Sequence, residues 1–389
     1  MSSVLTDQAR DVLAADRPLL LQPLELRGIE LRNRMVLSPM CTYSARDGMA
    51  SDFHLVHLGK YGMGGFGLVF LEATAVAENG RITHGDLGLW GDHQIPGLRR
   101  IAAFLKEAGA VPAIQLAHAG RKASMQRPWF GNGPLDATDH ERGDLPWPIV
   151  GAGPDPMDHG WLVPHELDTD ELDELARQWA ASARRALDAG FEVVEVHGAH
   201  GYLLHQFLSP LSNRRTDRHG GDLEGRMRFP LEVAAAVREA WPADRPVFFR
   251  VSATDGIDGG WTPDDSARLA RALKDIGVDV VDVSSGGLTG PSTAARIPRS
   301  PGFQVPFAEK IRSEADIATM AVGLVLTPAQ ANDILESGAA DLVAIGREAL
   351  VDPHWALRAW RDLVPAPDDF HAWPVQYGWW LERRAHSLR

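Results

Sequence analysis

The stretch Val193-Val194-Glu195-Val196-His197-Gly198-Ala199-His200-Gly201-Tyr202 runs from an apolar, valine-rich segment straight into two imidazoles and a phenol. A short run of this kind reads as a buried strand. Its polar groups all fall at or just beyond the C-terminal end, which is where a barrel of alternating strands and helices places its chemistry. Seven further runs have the same character: Met35 to Pro39, Leu68 to Glu72, Pro112 to Leu116, Val247 to Val251, Val280 to Ser284, Ala318 to Val322 and Leu342 to Ile345. Longer segments with helical spacing separate them. One is Asp170 to Ala189, where Asp168 or Thr169 can cap the start and Gly190 can end it. Eight strand-helix units predict an α/β chain closed as a (β/α)8 TIM barrel. A doubly wound sheet shares the alternation, but polar residues just after the strands favour the barrel.

Two segments lie outside that count. Residues from about Arg121 to Glu166 are rich in Pro, Gly and Trp and too long for a plain connection, so a lid insertion over the site is expected. The tail from Pro365 to Arg389 carries Trp373, Tyr377, Trp379 and Trp380, an apolar load that has to bury against something. A barrel from about residue 19 to 360, with this lid and tail, makes one domain of the 389 residues.

Composition narrows the function. A net charge of -13 gives no general attraction for nucleic acid or an anionic membrane, so small molecules or copies of itself are the expected partners. The single cysteine, Cys41, excludes an intrachain disulfide framework and any all-cysteine metal site. Met1 to Leu20 mixes charges with short apolar runs unlike a signal peptide. No run of about 18 apolar residues appears elsewhere. The expected location is the cytoplasm.

His197, His200 and Tyr202 can together hold a carbonyl oxygen while a proton is delivered beside it, a geometry suited to reducing an electron-poor double bond. The bland alternative is two satisfied histidines and a packed tyrosine. His-x-x-His could also supply two zinc ligands, although the motif has no adjacent acidic third ligand. Gln115 and Arg250 are polar groups inside otherwise apolar strands and would be costly to bury unpaired. A flavin satisfies both, the amide at the pyrimidine edge and the guanidinium against charge near N1. Alternatively, Arg250 pairs with a barrel carboxylate such as Glu72 or Glu195. Val322-Gly323-Leu324 and Ile345-Gly346-Arg347-Glu348 follow strands seven and eight, the usual phosphate position of this fold. They offer close backbone approach, N–H donors and the cation of Arg347.

The motif continues as Leu203-Leu204-His205-Gln206-Phe207-Leu208-Ser209-Pro210-Leu211-Ser212-Asn213-Arg214-Arg215-Thr216-Asp217. Here the chain strongly resembles the Old Yellow Enzyme family of flavin-dependent ene-reductases, and within it the bacterial xenobiotic-reductase branch. The resemblance spans about Leu19 to Val351. It implies non-covalent FMN contacted by Ser38, Pro39, Met40, Cys41, Ala73, Gln115, Arg250, Gly323, Gly346 and Arg347. It also implies that Cys41 modulates the flavin potential and Tyr43 faces the substrate. NADPH or NADH would reduce the flavin and leave. An α,β-unsaturated carbonyl or nitro compound would then bind through His197 and His200, receive hydride from flavin N5 and take its proton from Tyr202. The branch uses its tail to wall a neighbouring subunit's site, which points to Trp379 or Trp380 as substrate contacts in a homodimer or homotetramer. His219 stands where the family usually has tyrosine, and Gly225 where asparagine is common. Iron-sulfur relatives of this barrel need a cysteine cluster that the chain lacks. A metal-dependent barrel hydrolase or lyase, or a flavin-binding scaffold without turnover, would share much of the pattern.

Overall fold

The computed structural model describes residues 17–289, 297, 299–365 and 369–388. The stretch up to residue 16, read above for a leader, and residues 366–368 and 389 of the tail lie outside it. Eight parallel strands close on themselves: β1 (Met35–Leu37), β2 (Leu68–Ala75), β3 (Val111–Ala117), β4 (Val193–Gly198), β5 (Val247–Ser252), β6 (Val280–Ser284), β7 (Ala318–Ala321) and β8 (Leu342–Ile345). Each pairs with the next in sequence, and β8 pairs with β1 to complete the ring. All eight expected strands are present, with ends displaced by at most a few residues.

Strand pleating sorts the side chains. Val69, Leu71, Val194, Val196, Phe249 and Val251 point outward into the layer shared with the helices. Leu68, Phe70, Val111, Ala113, Val193, Phe248, Val280 and Met320 point inward and fill the lower barrel, which an antiparallel hairpin (Leu24–Leu26 with Ile29–Leu31) covers from below. Two residues further along three of these strands, the inward positions become Glu195, Arg250 and Asp282. The barrel is therefore apolar at its base and charged toward its C-terminal end.

The helices follow their caps. The helix expected from Asp170 spans Thr169–Asp188; the Asp168 side chain accepts from the Glu171 N–H, and Glu171 accepts from the Asp168 N–H in return. Such a cap contributes about 1 kcal/mol. Leu172, Leu175, Trp179, Ala183 and Ala186 form its buried face. Gly190, with φ +94°, follows the end as expected.

The segment 121–166 packs across the C-terminal mouth. Met125 and Ile149 join Tyr202 in a small apolar cluster, Trp129 and Tyr43 meet edge to face with ring centroids 5.9 Å apart, and Trp147 Nε1 donates to the Asn79 carbonyl. The tail ends in a helix, Val375–Ser387, whose Val375, Tyr377, Trp379 and Trp380 are exposed. Among the described residues no helix is long and apolar enough to cross a membrane.

Candidate active site

At the C-terminal mouth lies a cavity of about 450 Å³, within the range of small-ligand sites. His197 closes β4, and the chain turns sharply to present His200 and Tyr202 beside it. The ring centroids stand 5.1 Å apart for His197 and His200 and 5.0 Å for His197 and Tyr202, each pair edge to face. His197 Nδ1 accepts the Ala199 N–H at 3.2 Å, which puts the ring proton on Nε2 as a donor toward the cavity. His200 Nε2 is 2.7 Å from the Ser284 hydroxyl. Burial and then the nearby Arg250 hold both imidazoles well below the usual histidine value, so both are neutral near pH 7. Burial likewise pushes the Tyr202 phenol well up, keeping its proton in place. Two neutral imidazoles, of which His197 has its Nε2 proton free, and a protonated phenol thus face one cavity, an arrangement suited to holding an oxygen and protonating the atom next to it.

Gln115 and Arg250 form the floor. Gln115 Nε2 donates to Glu195 Oε1 at 2.7 Å, and Arg250 lies 2.9 Å from Asp282. The alternative reading of Arg250, a barrel carboxylate partner, is met by Asp282 rather than Glu72 or Glu195, and the pairing still leaves Arg250 lining the cavity that the flavin reading requires. Burial raises the Glu195 carboxyl well above its ordinary value, and the charge of Asp282 adds to the effect. The same strand-interior polarity that singled out Gln115 and Arg250 could have flagged Asp282 as well.

Pro39, Met40, Cys41 and Tyr43 line one wall. Glu72 Oε2 accepts the Thr42 N–H at 2.9 Å and so anchors this loop from behind, where burial raises the Glu72 carboxyl to about 8. Burial, followed by Asp86 and Glu72, pushes Cys41 up, which makes it a thiol rather than a thiolate. Across the cavity Gly323, Gly346 and Arg347 line the end beyond β7 and β8. A Cβ at Gly346 would come no nearer than 3.8 Å to any neighbour, Met40 Sδ. Ser38 and Ala73 are buried behind the wall and do not face the cavity, and Trp379 and Trp380 lie on the outer surface of the chain.

Several residues here carry no readable signal in the sequence. Ser285 Oγ donates to Gln304 Oε1 at 2.6 Å, and Gln304 Nε2 donates to the Val322 carbonyl at 3.0 Å. Phe303 also lines the cavity. Lys122, almost fully buried, donates from Nζ to the carbonyls of His200 and Gly287, and burial lowers its ammonium to about 7. A larger groove, about 800 Å³, lies between Thr169–Asp188 and the loop that follows β2 at Val76 to Arg81, and it contains none of His197, His200 or Tyr202.

The donor set fits a flavin mononucleotide: an amide and a guanidinium at the floor, a wall from Pro39 to Cys41, and the open Gly346 beside the cation of Arg347 where a phosphate would lie. Comparison with known proteins agrees. The sequence profile of the NADH:flavin oxidoreductase / NADH oxidase family matches residues 19–364. An NADPH dehydrogenase of Geobacillus sp. (strain WCH70) is 44% identical over 347 residues, covering 89% of this chain and 94% of that protein. The solved structure of morphinone reductase is 25% identical, with a TM-score of 0.73, and covers 90% of this chain and 91% of its own. A 2-naphthoyl-CoA reductase complex superposes with a TM-score of 0.78 over 90% of this chain. At 24% identity that likeness concerns the fold alone, and this chain spans 53% of that longer one.

Proposed function

We infer, because this chain belongs to the NADH:flavin oxidoreductase / NADH oxidase family, that it reduces the activated C=C bond of α,β-unsaturated carbonyl or nitro compounds at the expense of NADPH. The expected kinship with the Old Yellow Enzymes is borne out, and with it the FMN-dependent oxidoreductase class. The observation that carries the substrate reading is the convergence of two neutral imidazoles and a protonated phenol above the Gln115 and Arg250 floor.

Gln115 and Arg250 would hold the flavin's polar edge, with Pro39, Met40 and Cys41 along its face and Gly323, Gly346 and Arg347 at its phosphate. The two-electron chemistry is supplied by FMN when bound, between the reduced nicotinamide and the alkene. His197 donates from Nε2 to the substrate's carbonyl or nitro oxygen. His200 adds a second donor once its ring exchanges Ser284 for the ligand. Both draw electron density from the double bond and stabilise charge on that oxygen. Tyr202 then protonates the adjacent carbon, and its raised pKa keeps that proton available across neutral pH.

The segment 121–166 serves as the lid, a role supported by the contacts of Trp129 with Tyr43 and of Met125 with Tyr202. The exposed aromatic face of Val375–Ser387 supports a homodimer or homotetramer in which Trp379 or Trp380 reaches the neighbouring site. The test is an absorbance spectrum of the purified protein followed by anaerobic NADPH, then an enone or nitroalkene. A flavin band that bleaches with NADPH and returns with the alkene is the expected result. Bleaching without return would overturn the substrate assignment.

A further inference from the structure

The turn that aims His200 and Tyr202 is strained. His200 has φ +59° and Gly201 φ +73°. A side chain larger than glycine's is disfavoured in the left-handed region, and it persists only where the surroundings over-determine it. Here they do. The His200 N–H donates to Ser252 Oγ at 3.0 Å, and its carbonyl accepts from Lys122 Nζ at 2.8 Å. The Gly201 N–H donates to His205 Nδ1 at 2.8 Å, and its carbonyl accepts from Gln206 Nε2 at 2.8 Å. Every backbone polar group of the dipeptide is thus held by a different side chain, and all four side chains are buried.

Each brace is itself tied down. Ser252 Oγ donates to the Gly286 carbonyl at 2.8 Å, and Lys122 Nζ also reaches the Gly287 carbonyl. His205 Nε2 lies 2.9 Å from Asp255, which also accepts from Ser209 Oγ at 2.6 Å and from the Trp261 N–H at 2.7 Å. Because Nδ1 accepts from Gly201, the ring proton is on Nε2, on the side of that carboxylate. The bracket thereby joins the loops after β3, β4, β5 and β6 around one dipeptide.

We propose that Lys122, Ser252, His205 and Gln206 are positioning residues that lock the His200–Gly201 dipeptide in its left-handed conformation and so set where the Tyr202 proton meets a bound substrate. The assignment rests on the reading of Tyr202 as proton donor given above. Neither Lys122 nor Ser252 supplies a proton or an oxygen-binding donor to the reaction. Their loss acts through the turn.

The test compares the two half-reactions of the FMN-loaded enzyme, per bound flavin, in Ser252→Ala and Lys122→Met. Loosening the bracket slows alkene reduction at least about tenfold, the general-acid contribution being about 10² to 10⁴ in all. Reduction by NADPH falls by less, and the solvent deuterium isotope effect on the alkene step rises as proton transfer becomes limiting. Equal slowing of both half-reactions, or an alkene step within twofold of wild type, would overturn the proposal. Should Lys122→Met fail to fold, Ser252→Ala decides the matter, since it removes a single oxygen. Tyr202→Phe run alongside separates the two ideas. If it leaves the alkene step unchanged, the proton-donor reading falls and takes the bracket's purpose with it; if it slows that step while the bracket variants do not, only the bracket fails.

Discussion

Low polarity around Tyr202 and around Glu72 raises both groups for one reason, the cost of placing charge in a dry interior, but with different consequences. For Tyr202 it preserves the proton that the proposed alkene reduction draws on. Tyr202→Phe should therefore slow alkene reduction by about 10² to 10⁴ while flavin reduction by NADPH continues, since only the former consumes the phenolic proton; stopped-flow traces of the separate half-reactions check this. For Glu72, burial raises the carboxyl from 4.5 to about 8. A group whose folded-state value is raised contributes most below its unfolded value and loses that contribution as pH climbs through the folded value. The native state therefore loses stability relative to the unfolded chain between pH 4.5 and about 8 on account of this residue. Glu72→Gln removes the titration while keeping an acceptor for the Thr42 N–H. Thermal melts across that window should show the variant gaining on wild type by a few degrees as pH rises, and a constant difference would refute the linkage.

Local elements hold their shapes through a few close approaches. A Cβ on Gly201 would lie 2.4 Å from the Gly287 carbonyl and 2.8 Å from the Lys122 Nζ, in a backbone conformation that already disfavours it. Gly201→Ala should cost about 1 to 3 kcal/mol of stability and weaken substrate binding more than FMN binding, as read by denaturation and ligand titration. The two departures from the family pattern have local accounts as well. His219 is fully buried, with Nε2 3.0 Å from Glu232. At Gly225 a Cβ would meet the Gly220 carbonyl at 2.0 Å, so asparagine would not fit this turn as it stands. Both features lie around the start of the helix Leu223–Ala240, outside the cavity.

At the scale of the whole molecule, the described chain leaves Trp379 45% and Trp380 67% exposed, an expensive arrangement for a lone subunit. They stack edge to face on each other, and Arg383 covers one face of Trp379. In the homo-oligomer proposed above, deleting residues from Gln376 onward should dissociate the subunits and shift alkene affinity or selectivity while FMN content holds. Sedimentation and substrate profiling of the truncated form test this, and an intact protein that is monomeric at assay concentration would contradict it.

Strand number, strand order and most of the cavity wall were legible in the chain itself, because pleating and helix caps are short-range and leave periodic marks. Val193 to Tyr202 announced both a strand and the polar groups that line the cavity at its end, and Gln115 and Arg250 stood out as polar groups where apolar ones belong. Ring closure turned those separate marks into one site by bringing eight strand ends together. What only the tertiary structure decided was pairing. It gave Arg250 to Asp282 rather than to Glu195, set Ser284 against His200, and drew Lys122, Ser252, His205 and Gln206 onto one strained dipeptide. Such partners can lie far apart along the chain and have no period, so the free energy that selects them, the cost of leaving a buried polar group unmet, exists only once the barrel has closed around them.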